Sequence, residues 1–287
     1  MLIFASNQRG NMIIIDSIKK KIEKLKSKKS LHDYGFQVKS FDLQQEGKVE
    51  YARWLHPYEQ PKSITQAMVN FFRQYSRQGS LAIDIGAHTG DTTVPIALAI
   101  GKKGTVLALE PNPHVFKILQ KNSELNKNKT NIIPLCFAAT DHDGEFEFNY
   151  SDASYCNGGF FQSLKNQKHG HKYILKVKGK NLESYLKSKY GNLLSGLSLI
   201  KIDAEGYDKE IIKSLKPLLV TYKPNIISEC NKNLTPEERA ELYNVLDGLD
   251  YSIKKLEGFS DEMKPSSINN PLEMMNWQHF DIVATPK

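Results

Sequence analysis

The chain has little that could cross-link it. Its three cysteines, Cys136, Cys156 and Cys230, share no CxxC spacing, and an odd, scattered set argues against both a disulfide framework and a zinc finger. A reducing cytoplasm is the expected setting. Long apolar runs are also missing: nothing approaches the roughly 18–20 residues of a membrane span, and MIII at 12–15 is too short for a signal-peptide core. A protein without a membrane span is expected. There is no internal repeat, no low-complexity segment and no GxGxxG fingerprint.

What is present includes a net charge of +7, much of it in KKKIEKLKSKK at 19–29. There Ile15, Ile18, Ile22 and Leu25 recur at helical spacing, with lysines on the other faces. The pattern predicts an amphipathic helix docked on the body by its isoleucines; attachment to an anionic surface or acidic partner is the alternative. Lysines without interleaved arginines and aromatics speak against nucleic acid as the partner.

Apolar strands alternate with helical stretches along the rest of the chain, the pattern of an α/β sheet. Residues 1–78 read as a mixed extension in which ITQAMVNFFRQYS is a helix with Ile64, Met68, Phe71, Phe72 and Tyr75 inward. A main domain over 79–287 begins with strand LAIDI (81–85), then a helix from about Thr92 to Ile100, strand TVLALE (105–110) and a helix opened by Pro113. NIIPLCFAAT (131–140) reads as one strand despite Pro134. Residues 141–180 read as a hairpin-like insertion, with EFEFNY and KYILKVKG alternating as half-exposed strands do. LSLIKIDAEG carries a buried strand, YDKEIIKSLKPLL its helix, and NIISEC another strand. Thr235 and Glu238 form a capping-box pattern before PEERAELYNVLDGL, and YSIKKLEG and HFDIVATPK are two closing strands able to pair antiparallel.

Asp84, Glu110 and Asp203 end buried strands, with Glu229 near the end of a fourth. In a doubly wound sheet those ends share one rim, where ligands bind. Taken singly, each acid could merely cap the following helix. The turn after Asp84 is Gly86-Ala-His-Thr-Gly90, and His88 stands where a dinucleotide pyrophosphate would need open backbone. A phosphate-free ligand joining an amino acid to a nucleoside, as S-adenosylmethionine does, suits this turn, with Glu110 placed to accept two ribose hydroxyls.

In order and spacing, DIGAHTGDTT, ALEPNP, the AATDHDG segment and IKIDAEGYDKEII resemble the FkbM family of S-adenosylmethionine-dependent methyltransferases. The resemblance runs from about Leu81 to about Cys230. It implies a class I methyltransferase fold, a Rossmann-like, doubly wound seven-stranded sheet whose last strand is antiparallel. It also implies that Asp84, Gly86 and Gly90 form the first cofactor loop, with Asp84 near the methionine ammonium or a water serving it. Glu110 would hold the ribose diol, Asn112 would lie beside the adenosine, and Phe137 and Ala138 would flank adenine. His88 either faces the cofactor carboxylate or packs. Asp203 is expected to be the catalytic or positioning acid and Glu205 the second, because a hydroxyl nucleophile must lose its proton as the bond to carbon forms.

The family acts largely by O-methylation of sugars and natural-product hydroxyls, so a small-molecule or glycan acceptor is expected. In the insertion, Asn157-Gly158-Gly159 reads as a turn beside Tyr155, Phe160 and Phe161, either lining the acceptor site or forming a small satellite core. Asp203, Glu205, Glu229 and the HGH at 169–171 raise a metal site as an alternative; no metal is the expectation. Nucleic-acid methylation and NAD-linked or non-catalytic binding are the competing functions. A homo-oligomer is compatible with the sequence, which leaves the extension's role open.

Overall fold

The computed structural model describes residues 17–26, 30–156, 158–159 and 173–287. The expectations placed on MIII, Ile15, Asn157, Phe160, Phe161 and HGH lie outside them. A helix, α1, covers 17–26, followed by the antiparallel hairpin β1 (Phe36–Leu43) and β2 (Gly47–Trp54) and by α2 (Gln66–Tyr75). Next come β3 (Leu81–Ile85), α3 (Thr93–Ile100), β4 (Thr105–Leu109), α4 (Pro113–Leu125) and β5 (Ile132–Leu135). The insertion holds β6 (Ala138–Thr140), β7 (Gly144–Tyr150), β8 (Gly158–Gly159) and β9 (Tyr173–Asn181). The remainder is α5 (Leu182–Tyr190), β10 (Leu197–Ile202), α6 (Asp208–Ser214), α7 (Lys216–Tyr222), β11 (Asn225–Cys230), α8 (Pro236–Asp247), β12 (Tyr251–Leu256), β13 (Ser266–Ile268) and β14 (Phe280–Pro286).

The main sheet has the order β13-β12-β14-β11-β10-β3-β4-β5. Strands β11, β10, β3, β4 and β5 are parallel neighbours, and β14 runs antiparallel between β11 and β12. This is the expected seven-stranded arrangement with its last strand reversed, extended at one edge by β13. Alternate residues of each strand feed two cores. Leu81, Ile83, Ile85, Ile200 and Ile202 pack with α5–α8, while Ala82, Val106, Ala108 and Leu199 pack with α2, α3 and the β2 side of the hairpin. Both faces are covered, so β3 and β10 are buried along their whole length. Helix α3, TVPIALAI, is likewise buried at every residue, which is why it has no polar face. The capping box of Thr235 and Glu238 forms as read.

Four expectations need correction. The segment 131–140 is two strands: β5 ends at Leu135 on the sheet edge, where Pro134 costs no interior ladder bond, and β6 joins a second sheet of order β6-β9-β7-β8. YDKEIIKSLKPLL is two helices, divided at Leu215 ahead of Pro217, whose ring cannot continue α6. Gly158 and Gly159 pair with Tyr150 and Asn149 as a strand, not a turn. Finally, α1 is not docked by its isoleucines: Ile18, Ile22 and Leu25 are exposed. It rests on the body by Lys24, whose Nζ lies 4.9 Å from the Tyr58 ring centroid and whose carbonyl accepts from the Tyr58 hydroxyl at 3.4 Å, and Lys19, Lys20 and Glu23 line a crevice against Trp54 and His56. An aromatic face holds an ammonium well.

The hairpin is fastened to the sheet by polar bonds. Asn122 on α4 accepts from Ala52 N and donates to the carbonyls of Ala52 and Thr89; the Tyr51 hydroxyl meets that of Thr89 at 2.6 Å. His56 Nε2 faces Asp152 Oδ1 at 3.3 Å, joining the segment after β2 to the insertion. No helix among the described residues is long and apolar enough to cross a membrane.

Candidate functional site

Ladder bonding continues past the strand ends and sets the rim. Gly86 N and Ala87 N both donate to Leu109 O, Glu110 N donates to Leu135 O, and Asp203 N donates to Ile85 O. The turn passes through left-handed backbone at Gly86 (φ 73°), His88 (φ 48°) and Gly90 (φ 93°). Only glycine fits at Gly86, where a Cβ would stand 1.9 Å from Asp203 O. Close approach of β3 to β10 therefore dictates that glycine.

A cavity of about 660 Å³ opens on this rim, within the size range of small-molecule sites. Gly86, His88, Glu110, Asn112, Phe137, Ala138, Asp203 and Glu205, eight of the ten site residues read from the sequence, line it. Asp84 and Gly90 are not among the lining residues. Asp84 is fully buried, with Oδ2 accepting from the Thr92 and Thr93 hydroxyls and Oδ1 lying 3.5 Å from Lys201 Nζ. Gly90 packs against Leu119 and Asn122.

Glu110 is held by the turn it faces: Oε2 accepts from His88 N at 3.0 Å and Oε1 from Asn112 N at 2.8 Å. Burial nevertheless pushes its carboxyl up to about 7, against those two bonds. Asn112 caps α4 through its bond from His114 N, and its amide donates to Tyr155 O, pinning the insertion beside the cavity. His114 stacks on Tyr155 at 5.2 Å between ring centroids. Phe137 meets Tyr185 edge-on.

Sequence reasoning missed two groups. One is Lys201, inside the apolar run LIKI. Burial alone would lower it, but Asp203, Asp84 and Asp91 outweigh that and hold the ammonium protonated. Its Nζ lies 3.2 Å from Asp203 Oδ2. The other comes from the segment between β2 and α2, which brings Tyr58, Glu59, Gln60 and Lys62 to the cavity. Lys62 pairs with Asp91 at 2.8 Å and approaches Glu59 at 3.6 Å. Burial would raise Asp91, yet the Lys62 ammonium keeps it below the usual carboxylate range. Glu59 is raised by burial, and His88 is depressed to about 4 by burial and then by Lys62. Glu59 Oε1 and His88 Nδ1 lie 3.9 Å apart, both buried without a hydrogen-bond partner among the described residues. The signal that could have found the lysine of β10 was its interruption of an otherwise apolar strand.

Beyond β10, Glu205 adopts φ 54°, and strained backbone of this kind gathers at functional sites. Asn231 Nδ2 donates to Glu205 Oε2 at 3.3 Å and to Glu229 Oε2 at 2.9 Å. Desolvation of the carboxyl and then the Asp203 and Asp208 charges push Glu205 up to about 7, although the residue as a whole is exposed. Glu229 is raised to about 9 by burial and Asp203; it faces His279 at 3.4 Å and is not among the lining residues. Among the described residues no group of three His, Cys, Asp or Glu forms a metal-binding cluster.

The family described as the methyltransferase FkbM domain matches residues 84–255. The chain belongs to that family. Methyl transfer is therefore the reaction class of this FkbM domain, and S-adenosylmethionine its donor. No curated protein matches the chain. Among solved structures, fibrillarin of Aeropyrum pernix with natively bound S-adenosyl-L-methionine is 13% identical, over 89% of this chain and 97% of that one, at a TM-score of 0.43. Precorrin-6y C5,15-methyltransferase of Geobacter metallireducens GS-15 is 13% identical, over 77% and 87%, at 0.41. An FkbM methyltransferase of Methylobacillus flagellatus KT is 12% identical, over 76% and 51%, at 0.38. The FkbM assignment rests on the family match and not on these likenesses.

Proposed function

We propose that this FkbM domain transfers the methyl group of S-adenosylmethionine to a hydroxyl of a sugar, glycan or natural product. The observation carrying the reading is Glu110, a buried carboxylate fixed by the backbone of the glycine turn and open to the same cavity as Asp203 and Glu205. A ribose diol donating two O–H bonds to Glu110 would favour its ionised form. Phe137 and Ala138 supply an apolar wall for adenine. Lys62 and Glu59, which line the same cavity, are placed to meet the amino-acid end, Lys62 its carboxylate and Glu59 its ammonium. Asp84 has no face on the cavity, so its part is to hold Thr92, Thr93 and Lys201 in place.

The donor, when bound, supplies a sulfonium methyl that is already activated. What remains for the chain is positioning and one proton. Lys201 fixes Asp203 by an ion pair, which suits Asp203 to orienting the acceptor hydroxyl. Glu205, raised to about 7, is poised to accept that hydroxyl's proton near neutral pH.

Calorimetric titration with S-adenosylhomocysteine, with NADH, and with Glu110→Ala tests the cofactor site. Binding of the former, weakened at least about tenfold by the substitution and absent for NADH, is expected. NADH binding, or a neutral substitution, would overturn the reading. Screening hydroxylated acceptors for methyl uptake tests the acceptor class; methylation confined to amines or carbon centres would replace it.

A further inference from the structure

The described part of α1 is inverted relative to an ordinary surface helix. Every residue of 17–26 is exposed except Lys24, which packs on Tyr58. The aliphatic residues point away: Ile18 is 52% exposed, Ile22 48% and Leu25 60%. At the helical repeat these three fall within about 60° of one another. Lys21 follows on one side of that stripe and Lys26 and Lys19 on the other, Lys19 standing at the border of a crevice that it, Lys20 and Glu23 form with Trp54 and His56, while Lys20, Glu23 and Lys24 occupy the body side. Five lysines against one glutamate leave this short segment strongly cationic.

We propose that α1 lies in the plane of an anionic lipid surface, inserting Ile18, Ile22 and Leu25 between headgroups whose phosphates meet Lys19, Lys21 and Lys26. Apolar residues flanked on both sides by long basic side chains are what such a boundary accepts, since the aliphatic stems enter the apolar layer while the ammonium groups stay at the headgroups. A bilayer also needs no shape complementarity. A second copy of the chain fits less well: ten helical residues span about 15 Å, and three aliphatic side chains fall far short of the roughly 1,200–2,000 Å² that a stable protein interface buries. Like charges on two copies would also oppose that pairing. Because the lysines supply most of the attraction, attachment should require anionic lipid and weaken with salt. Attachment would place the methyl-transfer cavity close to a lipid surface, since Tyr58, on which α1 rests, lines that cavity.

The full chain is tested by co-sedimentation with phosphatidylglycerol–phosphatidylcholine vesicles and with phosphatidylcholine alone. Sedimentation only with the anionic vesicles, reversed by salt, is expected. The triple substitution Ile18→Ser, Ile22→Ser, Leu25→Ser should lower partitioning about tenfold, and Lys19→Glu, Lys21→Glu, Lys26→Glu should abolish it, with both thermal midpoints at the wild-type value. No sedimentation with anionic vesicles at low salt overturns the proposal. So does sedimentation unaffected by the serine substitutions, which would mean a diffuse lysine field. A concentration-dependent dimer in analytical ultracentrifugation, lost with the serine variant, would assign the stripe to a second copy.

Discussion

Asp84 and Lys201 are directly opposed across the parallel β3–β10 pair, and their side chains meet at 3.5 Å with neither more than 4% exposed. Both point to the core face shared by Ala82 and Leu199. Asp84 is the acid that ends the apolar run of β3, and its charge is consumed internally by one lysine and two threonine hydroxyls. The pair holds the glycine turn on one strand and Asp203 on the next in a fixed relation.

Lys201→Met should therefore cost about 3–5 kcal/mol, the toll of stranding a buried carboxylate. Adding Asp84→Asn should restore more than half of it, because the remaining group is neutral and keeps its threonine donors. Urea unfolding of the two variants checks this; a single-variant loss under about 1 kcal/mol would show that the pair is not what holds the turn.

Gly86→Ala should be far worse than a glycine substitution usually is. The added Cβ would meet Asp203 O at 1.9 Å, at φ 73°, so β3 and β10 must separate. A loss of about 4 kcal/mol or more is expected, read as a fall in thermal midpoint. A Gly101→Ala control, at φ 73° and ψ 176° with no described residue within 4 Å, lacks the clash and should cost only the backbone strain of a glycine-only region, about 1–3 kcal/mol.

Lys62→Met separates the two ends of the cofactor. If Lys62 receives the amino-acid carboxylate, S-adenosylhomocysteine should bind about 10–100-fold more weakly. 5′-Methylthioadenosine, which lacks that group, should bind as before. Equal losses for both ligands would assign Lys62 a purely structural part.

Ligand-free stability should fall as pH rises across neutrality. Glu110 and Glu205 titrate near 7 when folded against 4.5 when unfolded, and Asp208 near 6 against 3.8. Between those values the folded state binds more protons than the unfolded one, so raising pH disfavours folding. Their contribution is complete below about pH 4 and lost by about pH 7, with Glu229, near 9, extending the decline. Denaturation midpoints measured from about pH 6.5 to 9 should drop; below that range His88, depressed to about 4, works in the opposite sense. Glu229→Gln should flatten the alkaline part, and an unchanged slope would refute its raised value.

The glycine turn, Glu110 and Asp203 could be read from the sequence because each stands where an apolar run stops, and strand ends share a rim. Lys201 was hidden by the same logic, since a run read as buried is not searched for a charge. The segment HPYEQPKS reads locally as a loop. It reaches the cavity because apolar packing of β2 and the bonds of the Asn122 amide and the Tyr51 hydroxyl, whose partners lie 70 and 38 residues away in sequence, hold the hairpin against the turn. Periodicity carries no trace of such bonds. The inverted face of α1 escaped for a related reason: apolar spacing tells which residues share a side, not which side meets the body.

The two open margins of the main sheet are short. One is β5, four residues with Pro134 among them; the other is β13, three residues. A foreign strand finds no long run of free amides and carbonyls to extend at either margin. Growth of the main sheet by strand addition is therefore disfavoured at both of its margins, and the longer open edge of the hairpin, β1, is the strand left for a neighbour to meet.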